Sequence, residues 1–382
     1  MKFKLSAQAF IICISGAALL WAARGETAKN GFIGQVRAHY AAWDTNRDNT
    51  LSVNEVELAL TNPGIKGEEA AAIAALRRGM RAKGIKSATL EELNDSVPFD
   101  AKKKPAPPQY DSMYEVALQK INSVKRELFV TETPQLDGLG QGRLGDCFLL
   151  AALGTYINHD PEGLKKMMDV QPDGQVAVTF GTGKCVVLPT PTDGEVVIGA
   201  LTRNQGTWAN MFEKSVGQVF LEGQKTERHV APYGIIGVGG SPHTVLQLIT
   251  GHKVVRVGCE NIRKPGLDAA TREAKLAELR AILIRNQEAG RMMVAGNGAI
   301  GEQNAVTVPG IYYLHSYGVL GYDPKADTVT FWNPFGNGYK PKGEPGLKYG
   351  YVTKYGRFTV PLSEAVQWLG SFSVESEQRL DG

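Results

Sequence analysis

The chain has 382 residues, 43% of them apolar and 21% charged, with a formal net charge of +3. This composition excludes wholesale disorder, and so small a charge gives no reason to expect nucleic acid or an anionic membrane as the main partner. The 44 glycines and 19 prolines imply many turns, and the length suits two or three domains of a loop-rich α+β protein.

Residues 1–25 read as a secretory signal peptide. Lys2 and Lys4 precede an uncharged run from Leu5 to Ala23, and Ala23 and Gly25 supply the small residues that a signal peptidase reads. A secreted or periplasmic protein is expected. The alternative is a membrane anchor formed by residues 5–23, the one route by which a membrane becomes a partner; its apolar core is short, since spanning takes about 20 residues. Removing the leader leaves Cys147, Cys185 and Cys259. None forms a C-x-x-C pair, so no zinc site is expected. An odd number in an oxidising compartment leaves at least one free thiol.

Residues 30–97 read as a helical module. Within it, "DTNRDNTLSVNE" (44–55) is a twelve-residue loop between helical segments. Asp44, Asn46 and Asp48 occupy positions 1, 3 and 5. Thr50 offers its carbonyl at 7, Ser52 stands at 9, and Glu55 is the bidentate closer at 12. This is the EF-hand pattern for Ca2+. Position 6 is Asn49 rather than Gly, which predicts weak binding, in the range of about 10⁻⁴–10⁻³ M found for extracellular modules. The second half has no carboxylate between Glu69 and Glu91, so it is not expected to bind calcium. A purely structural or docking role for the module is the other reading. Residues 98–112, rich in Lys and Pro, read as a linker.

A helix is expected from Met113, then a glycine-rich approach to Cys147. Asp146 suits an N-cap, and "CFLLAALGTYI" continues as an apolar helix with Cys147 in its first turn. The partial positive charge of a helix N-terminus favours thiolate, the form a nucleophilic cysteine needs. The alternative is a packed core cysteine. Beyond it, "QVAVTF", "KCVVLP" and "EVVIG" read as strands, and "WANMFEKSVGQVFLEG" and the segment from Leu267 read as helices. The turn "YDPKAD" joins two strand-like runs. A simple hairpin centred on Pro324 sets His315 opposite Asn333, whose carbonyl can then accept the imidazole Nδ1–H. Gln141 offers an amide to a developing oxyanion.

"QGRLGDCFLLAALG", "LHSYGV" and "WNPFGNG", with "TWANMFEKSVGQVFLEG" and "GVGGSPHTVLQLITG" between them, resemble the blocks of the calpain cysteine proteases in their order. The resemblance spans about residues 113–365. It implies a papain-like α+β fold of two lobes, 113–260 carrying the Cys helix and 261–375 carrying the His/Asn hairpin. It further implies Cys147 as nucleophile, His315 as base, Asn333 as its orienter, Gln141 as oxyanion donor, and a protein or peptide as substrate. Phe335 takes the place of the family's tryptophan over the His–Asn bond. Asn337 stands where the family has an acid that binds calcium, so the core calcium switch is in question. The expected activity is a calpain-like endopeptidase, modulated by calcium. The alternatives are a latent or inactive protease fold serving as a calcium-binding adaptor, and a transglutaminase-like acyl transferase.

Overall fold

The computed structural model describes residues 31–94, 108–224, 231–298 and 304–380. The expected leader and residues 98–107 of the expected linker lie outside these. The chain divides into two compact units, Met1–Asn122 and Ser123–Gly382.

The first unit contains α1 (Phe32–Trp43), β1 (Leu51–Ser52), α2 (Val53–Leu60), α3 (Gly67–Lys83), β2 (Ser87–Ala88), α4 (Leu90–Asn94) and α5 (Tyr110–Ser123), which ends at the boundary. Two helix–loop–helix hairpins are joined through their loops, with Leu51 opposite Ala88 and Ser52 opposite Ser87. α2 starts on a capping box in which the Ser52 hydroxyl accepts the Glu55 N–H and the Glu55 carboxylate accepts the Ser52 N–H. α3 is alanine-rich, so it combines high helix propensity with close packing. It buries Ala71, Ala72, Ile73 and Leu76 and packs on α1 and α2, which bury Val36, Trp43, Val56 and Leu60. The linker expected over 98–112 gives way to helix at Tyr110. That ring stacks on Phe32 at 4.7 Å and lies over Gly79, where a Cβ would come within 2.3 Å of it.

The second unit opens with α6 (Cys147–His159), α7 (Pro161–Lys166) and an antiparallel three-stranded sheet of β3 (Met168–Val170), β4 (Val176–Thr179) and β5 (Cys185–Leu188). α8 (Asp193–Ile198), α9 (Trp208–Glu222), α10 (Pro232–Ile236) and α11 (Pro242–Thr250) follow. The expected strand "EVVIG" is instead α8. Thr192 and Glu195 form a second capping box, and that local pairing outweighs the β-preference of Val196, Val197 and Ile198.

Next come β6 (His252–Gly258), α12 (Ala269–Glu288), β7 (Met293–Gly296), β8 (Ser316–Asp323), β9 (Thr328–Trp332), β10 (Arg357–Pro361), α13 (Leu362–Trp368) and β11 (Ser371–Arg379). The six strands form one antiparallel sheet in the order β10-β9-β8-β7-β11-β6. β6 pairs along the edge of this sheet, so the second lobe begins near residue 252 and not at 261. The core of this lobe is aromatic: Tyr317, Phe331, Phe358, Trp368 and Phe372 are buried together with Leu279 and Leu283 of α12.

α6 is apolar all round and buried along most of its length, as befits a core helix. It packs on β8 and β7. Two glycines allow the approach. A Cβ on Gly154 would meet the Trp332 ring at 2.5 Å, and one on Gly318 would meet the Thr155 hydroxyl at 2.8 Å. This close packing brings the start of the cysteine helix to the start of β8.

Candidate active site

Cys147 is the first residue of α6, half-buried and free of any disulfide. Its expected cap is different from the sequence reading. The Asp146 carboxylate makes no capping bond; the backbone carbonyl of Asp146 instead accepts the N–H groups of Leu149 and Leu150. The thiol lies within hydrogen-bonding reach of the Ser316 N–H and hydroxyl and of the Phe148 N–H. Ser316 is the neighbour of His315, so the Cys147 thiol and the imidazole segment meet across the α6–β8 contact.

His315 precedes β8 and Asn333 follows β9. The imidazole Nε2 bonds the Asn333 Oδ1 at 2.8 Å. The expected contact through Nδ1 is therefore corrected: the ring presents its other nitrogen to Asn333. The expected pairing is corrected too. Gly318 faces Trp332, and a bulge between Val319 and Gly321 shifts the register towards the turn. Continuing the outer register sets Asn333 level with Tyr317, two residues from His315, which is the diagonal reach of a sheet.

The Asn333 amide is fixed at both ends. Its Oδ1 also accepts the Phe335 N–H at 3.0 Å, and its Nδ2 donates to Asn337 Oδ1 at 3.1 Å. Asn337 in turn donates to the Tyr312 hydroxyl at 3.2 Å. The carbonyl end must therefore face His315, and the imidazole nitrogen it meets must carry the proton. Nδ1 is left as the basic nitrogen.

Aromatic rings enclose the pair. The Phe335 ring lies 4.5 Å from the imidazole and Tyr317 meets it edge-on at 5.0 Å. His315 and Asn333 are both buried, while Phe335 faces solvent. Burial brings the His315 pKa down from 6.5 to about 4, with the Asn333 hydrogen bond opposing. Burial also pushes the Cys147 thiol up; Ser316 works against this and the Asp146 charge adds to it. The fold as it stands favours the uncharged thiol–imidazole pair over the thiolate expected from the helix terminus.

Gln141 is held by its N–H on the Pro334 carbonyl at 2.7 Å, and its Nε2 donates to the Leu144 carbonyl at 2.7 Å. One amide hydrogen is thus used on the loop itself. The amide also lies within reach of the buried Asp146 carboxylate.

The six expected calcium ligands, Asp44, Asn46, Asp48, Thr50, Ser52 and Glu55, all lie in the one loop of the first unit. Asp44 accepts the Asp48 and Asn49 N–H groups, Asn46 accepts the Asp48 N–H, and Asp48 accepts the Thr50 N–H. Glu55 reaches back to the N–H groups of Thr45, Asn46 and Ser52. Burial pushes its carboxyl up, but the bonds from Ser52, Asn46 and Thr45 outweigh this and hold it below its ordinary range. Asn49 takes a positive φ of 63° in the position usually held by Gly. The hard oxygen donors fit calcium. Among the described residues no three His, Cys, Asp or Glu side chains are yet gathered as a metal cluster, so the carboxylates would exchange their N–H partners for the ion. In the facing hairpin, the Leu51–Ala88 pairing aligns Arg81 and Lys83, in the last turn of α3, with positions 1 and 3, where a calcium loop would need carboxylates.

Three features were missed by sequence reasoning: Ser316 beside the thiol, Asn337 as support for Asn333, and the buried partner of Asp146. The Asn-x₃-Asn spacing after β9 and the Glu213-Lys214 pair were visible, but only the folded chain shows what they touch.

A cysteine at the head of a buried helix, beside a buried His–Asn pair from a β-hairpin, is the arrangement that papain-type cysteine peptidases use. A family profile described as calpain family cysteine protease matches residues 113–344. The chain belongs to the calpain family of cysteine proteases. None of the curated proteins compared with it matches significantly.

Proposed function

We propose that the chain is a secreted endopeptidase that hydrolyses peptide bonds through Cys147, His315 and Asn333, with its EF-hand-like module as a calcium-responsive element. The observation that carries this reading is the buried His315–Asn333 bond beneath Phe335, beside Ser316, which lies near the Cys147 sulfur.

Asn333 holds the proton on Nε2, so Nδ1 is free to take the proton of the thiol. The sulfur then forms a bond to the substrate carbonyl carbon, and the developing oxyanion is met by the Cys147 N–H and the second Gln141 amide hydrogen. Return of the proton from His315 to the amide nitrogen releases the amine and leaves a thioester. Water, deprotonated by the same Nδ1, attacks the thioester; the carboxylic acid departs and the thiol is restored. Asn333 steadies the imidazolium in both halves without accepting a proton itself. The ligands proposed for one calcium ion are Asp44, Asn46, Asp48, the Thr50 carbonyl, Ser52 and Glu55, and its binding would tighten the loop that starts α2.

The test is cleavage of unfolded casein by the leaderless chain under reducing conditions, with calcium and with chelator, beside Cys147→Ala. Activity that vanishes in the variant supports the nucleophile, and a loss in chelator supports calcium control. Equal activity with and without chelator removes the calcium role. Intact casein in every lane, from folded protein, moves the reading to a latent precursor.

A further inference from the structure

Asp146 poses a problem that the peptidase mechanism does not solve. It is fully buried, neither carboxylate oxygen has a partner in good hydrogen-bond geometry, and the donors nearest it are its own N–H and the Gln141 amide. An N-cap aspartate ordinarily satisfies itself on the first-turn N–H groups; this one does not. The group within its reach is a second carboxyl, that of Glu213 on α9, itself fully buried. Glu213 is anchored by the Ala200 N–H, which donates to both of its oxygens at 3.0 and 2.9 Å, and by the Asn210 amide at 3.4 Å.

Two carboxylates in contact and out of water cannot both be ionised at neutral pH. A single proton between them supplies the missing donor and leaves one negative charge on the pair. The surroundings permit no simpler solution. Lys214, next to Glu213 in the chain, is paired with Glu195 of α8 at 2.8 Å. The Tyr233 hydroxyl of α10 faces Glu213, Glu195 and Asp146, but it donates to the Asn210 carbonyl. The remaining neighbours are the Gln141 amide on the approach loop and the Cys147 thiol of α6.

We propose that Asp146 and Glu213 share one proton and that this acid pair is a positioning device for the nucleophile. The proposal rests on Cys147 being that nucleophile. A free Asp146 carboxylate would turn onto the first-turn N–H groups or take the Gln141 amide hydrogen, and these are the donors that the sulfur and the oxyanion need. Pairing with Glu213 draws it the other way. The residual charge beside the sulfur also holds the thiol in its protonated form until substrate and His315 draw the proton off.

Two measurements that need no peptidase turnover test this, both on the full chain. The first is infrared difference spectroscopy at pH 8. The wild type should show one protonated carboxyl that is absent from both Asp146→Asn and Glu213→Gln. The second is the pH dependence of iodoacetamide alkylation, read by mass spectrometry on the Cys147 peptide. Each single amide variant keeps one donor and one negative charge, so its midpoint should stay at the wild-type value. The double variant carries no charge, and its midpoint should fall by about one unit. Glu213→Met, which leaves Asp146 without its partner, should lower kcat/KM on the order of 10²-fold, the cost of one lost oxyanion donor. A wild type without the carboxyl signal overturns the shared proton. Single variants that each lower the midpoint point to two ionised carboxylates and overturn it as well. A double variant with the wild-type midpoint overturns the link to Cys147. If alkylation follows the expected pattern while casein stays intact, the acid pair stands and the peptidase reading fails.

Discussion

Acidification from pH 7 to pH 4 should place a charge on an imidazole that the fold has dehydrated, and the cost follows from the site. His315 is 5% exposed, and burial brings its pKa from 6.5 to about 4 against the pull of Asn333. In the unfolded chain the ring takes its proton near pH 6.5. Between the two values the unfolded state binds a proton that the native state refuses, so lowering the pH favours unfolding. The contribution to stability is full above about pH 6.5 and is lost as the pH falls towards 4. At 1.36 kcal/mol per unit, the loss between pH 7 and pH 4 is about 3 kcal/mol. The assay is urea unfolding of the Cys147→Ala chain, which removes both self-cleavage and the thiol's own titration. It is compared with the Cys147→Ala/His315→Gln chain at pH 7, 5.5 and 4. Other acidic groups titrate equally in the two proteins, so the difference between them isolates His315. The histidine-bearing chain should lose about 3 kcal/mol more than the glutamine chain over this range. A difference below about 1 kcal/mol, less than one pKa unit, would refute the claim that the ring is held dehydrated.

Other outcomes follow from the same structure. Asn337→Ala removes the acceptor that fixes the Asn333 amide; kcat should fall about tenfold or more with little change in KM, as measured on a fluorogenic peptide. Gly142→Ala would set a Cβ 2.0 Å from the Gly199 carbonyl and displace the loop carrying Gln141; a loss of about 1–3 kcal/mol in urea unfolding should accompany a drop in kcat/KM. Lys214→Met leaves Glu195 buried without its cation; denaturation at pH 7 should show a loss of about 3–5 kcal/mol, smaller at acidic pH where Glu195 is neutral. Calorimetric titration should give one calcium ion per chain and none for Glu55→Gln, because the register places Arg81 and Lys83, in the last turn of α3, where a second site would need its first carboxylates; two ions would contradict the register of Leu51 with Ala88.

Much of the site was legible because its parts are local. A helix with Cys147 at its head follows from an apolar run after a glycine, and the His and Asn ends of a hairpin follow from one turn between two strand-like runs. Midpoint counting misplaced Asn333 by two residues because the turn is centred between Lys325 and Ala326 and not on Pro324, and the bulge at Leu320 takes back only one residue of that offset. The ring nitrogen facing Asn333 depends on which face of His315 the hairpin presents, which no spacing encodes. "EVVIG" was misread because β-branched residues outweighed a capping box whose two members stand outside the apolar run. The second lobe starts earlier than expected because β6 pairs with β11, more than a hundred residues away.

The hidden part of the site is the part made of charge. Asp146 looks in sequence like a cap for α6, and a cap is what would spoil the site, because its carboxylate would occupy the N–H groups at the sulfur. The fold resolves the conflict by placing Glu213 from α9 behind it. Glu213 can be spared for this because Glu195, three residues after the Thr192 cap, takes Lys214 for itself. Three acids and one lysine from three segments thus leave one surplus proton-sharing pair, and it sits at the nucleophile. Removing the lysine should therefore disturb the cysteine as well as the fold: in Lys214→Met the unpaired Glu195 adds negative charge to the group around Asp146, and the midpoint for alkylation of Cys147 should rise rather than fall. A midpoint that falls would mean that the Glu195–Lys214 pair and the acid pair are electrically independent, and that the ordering of these charges around the thiol has been read incorrectly.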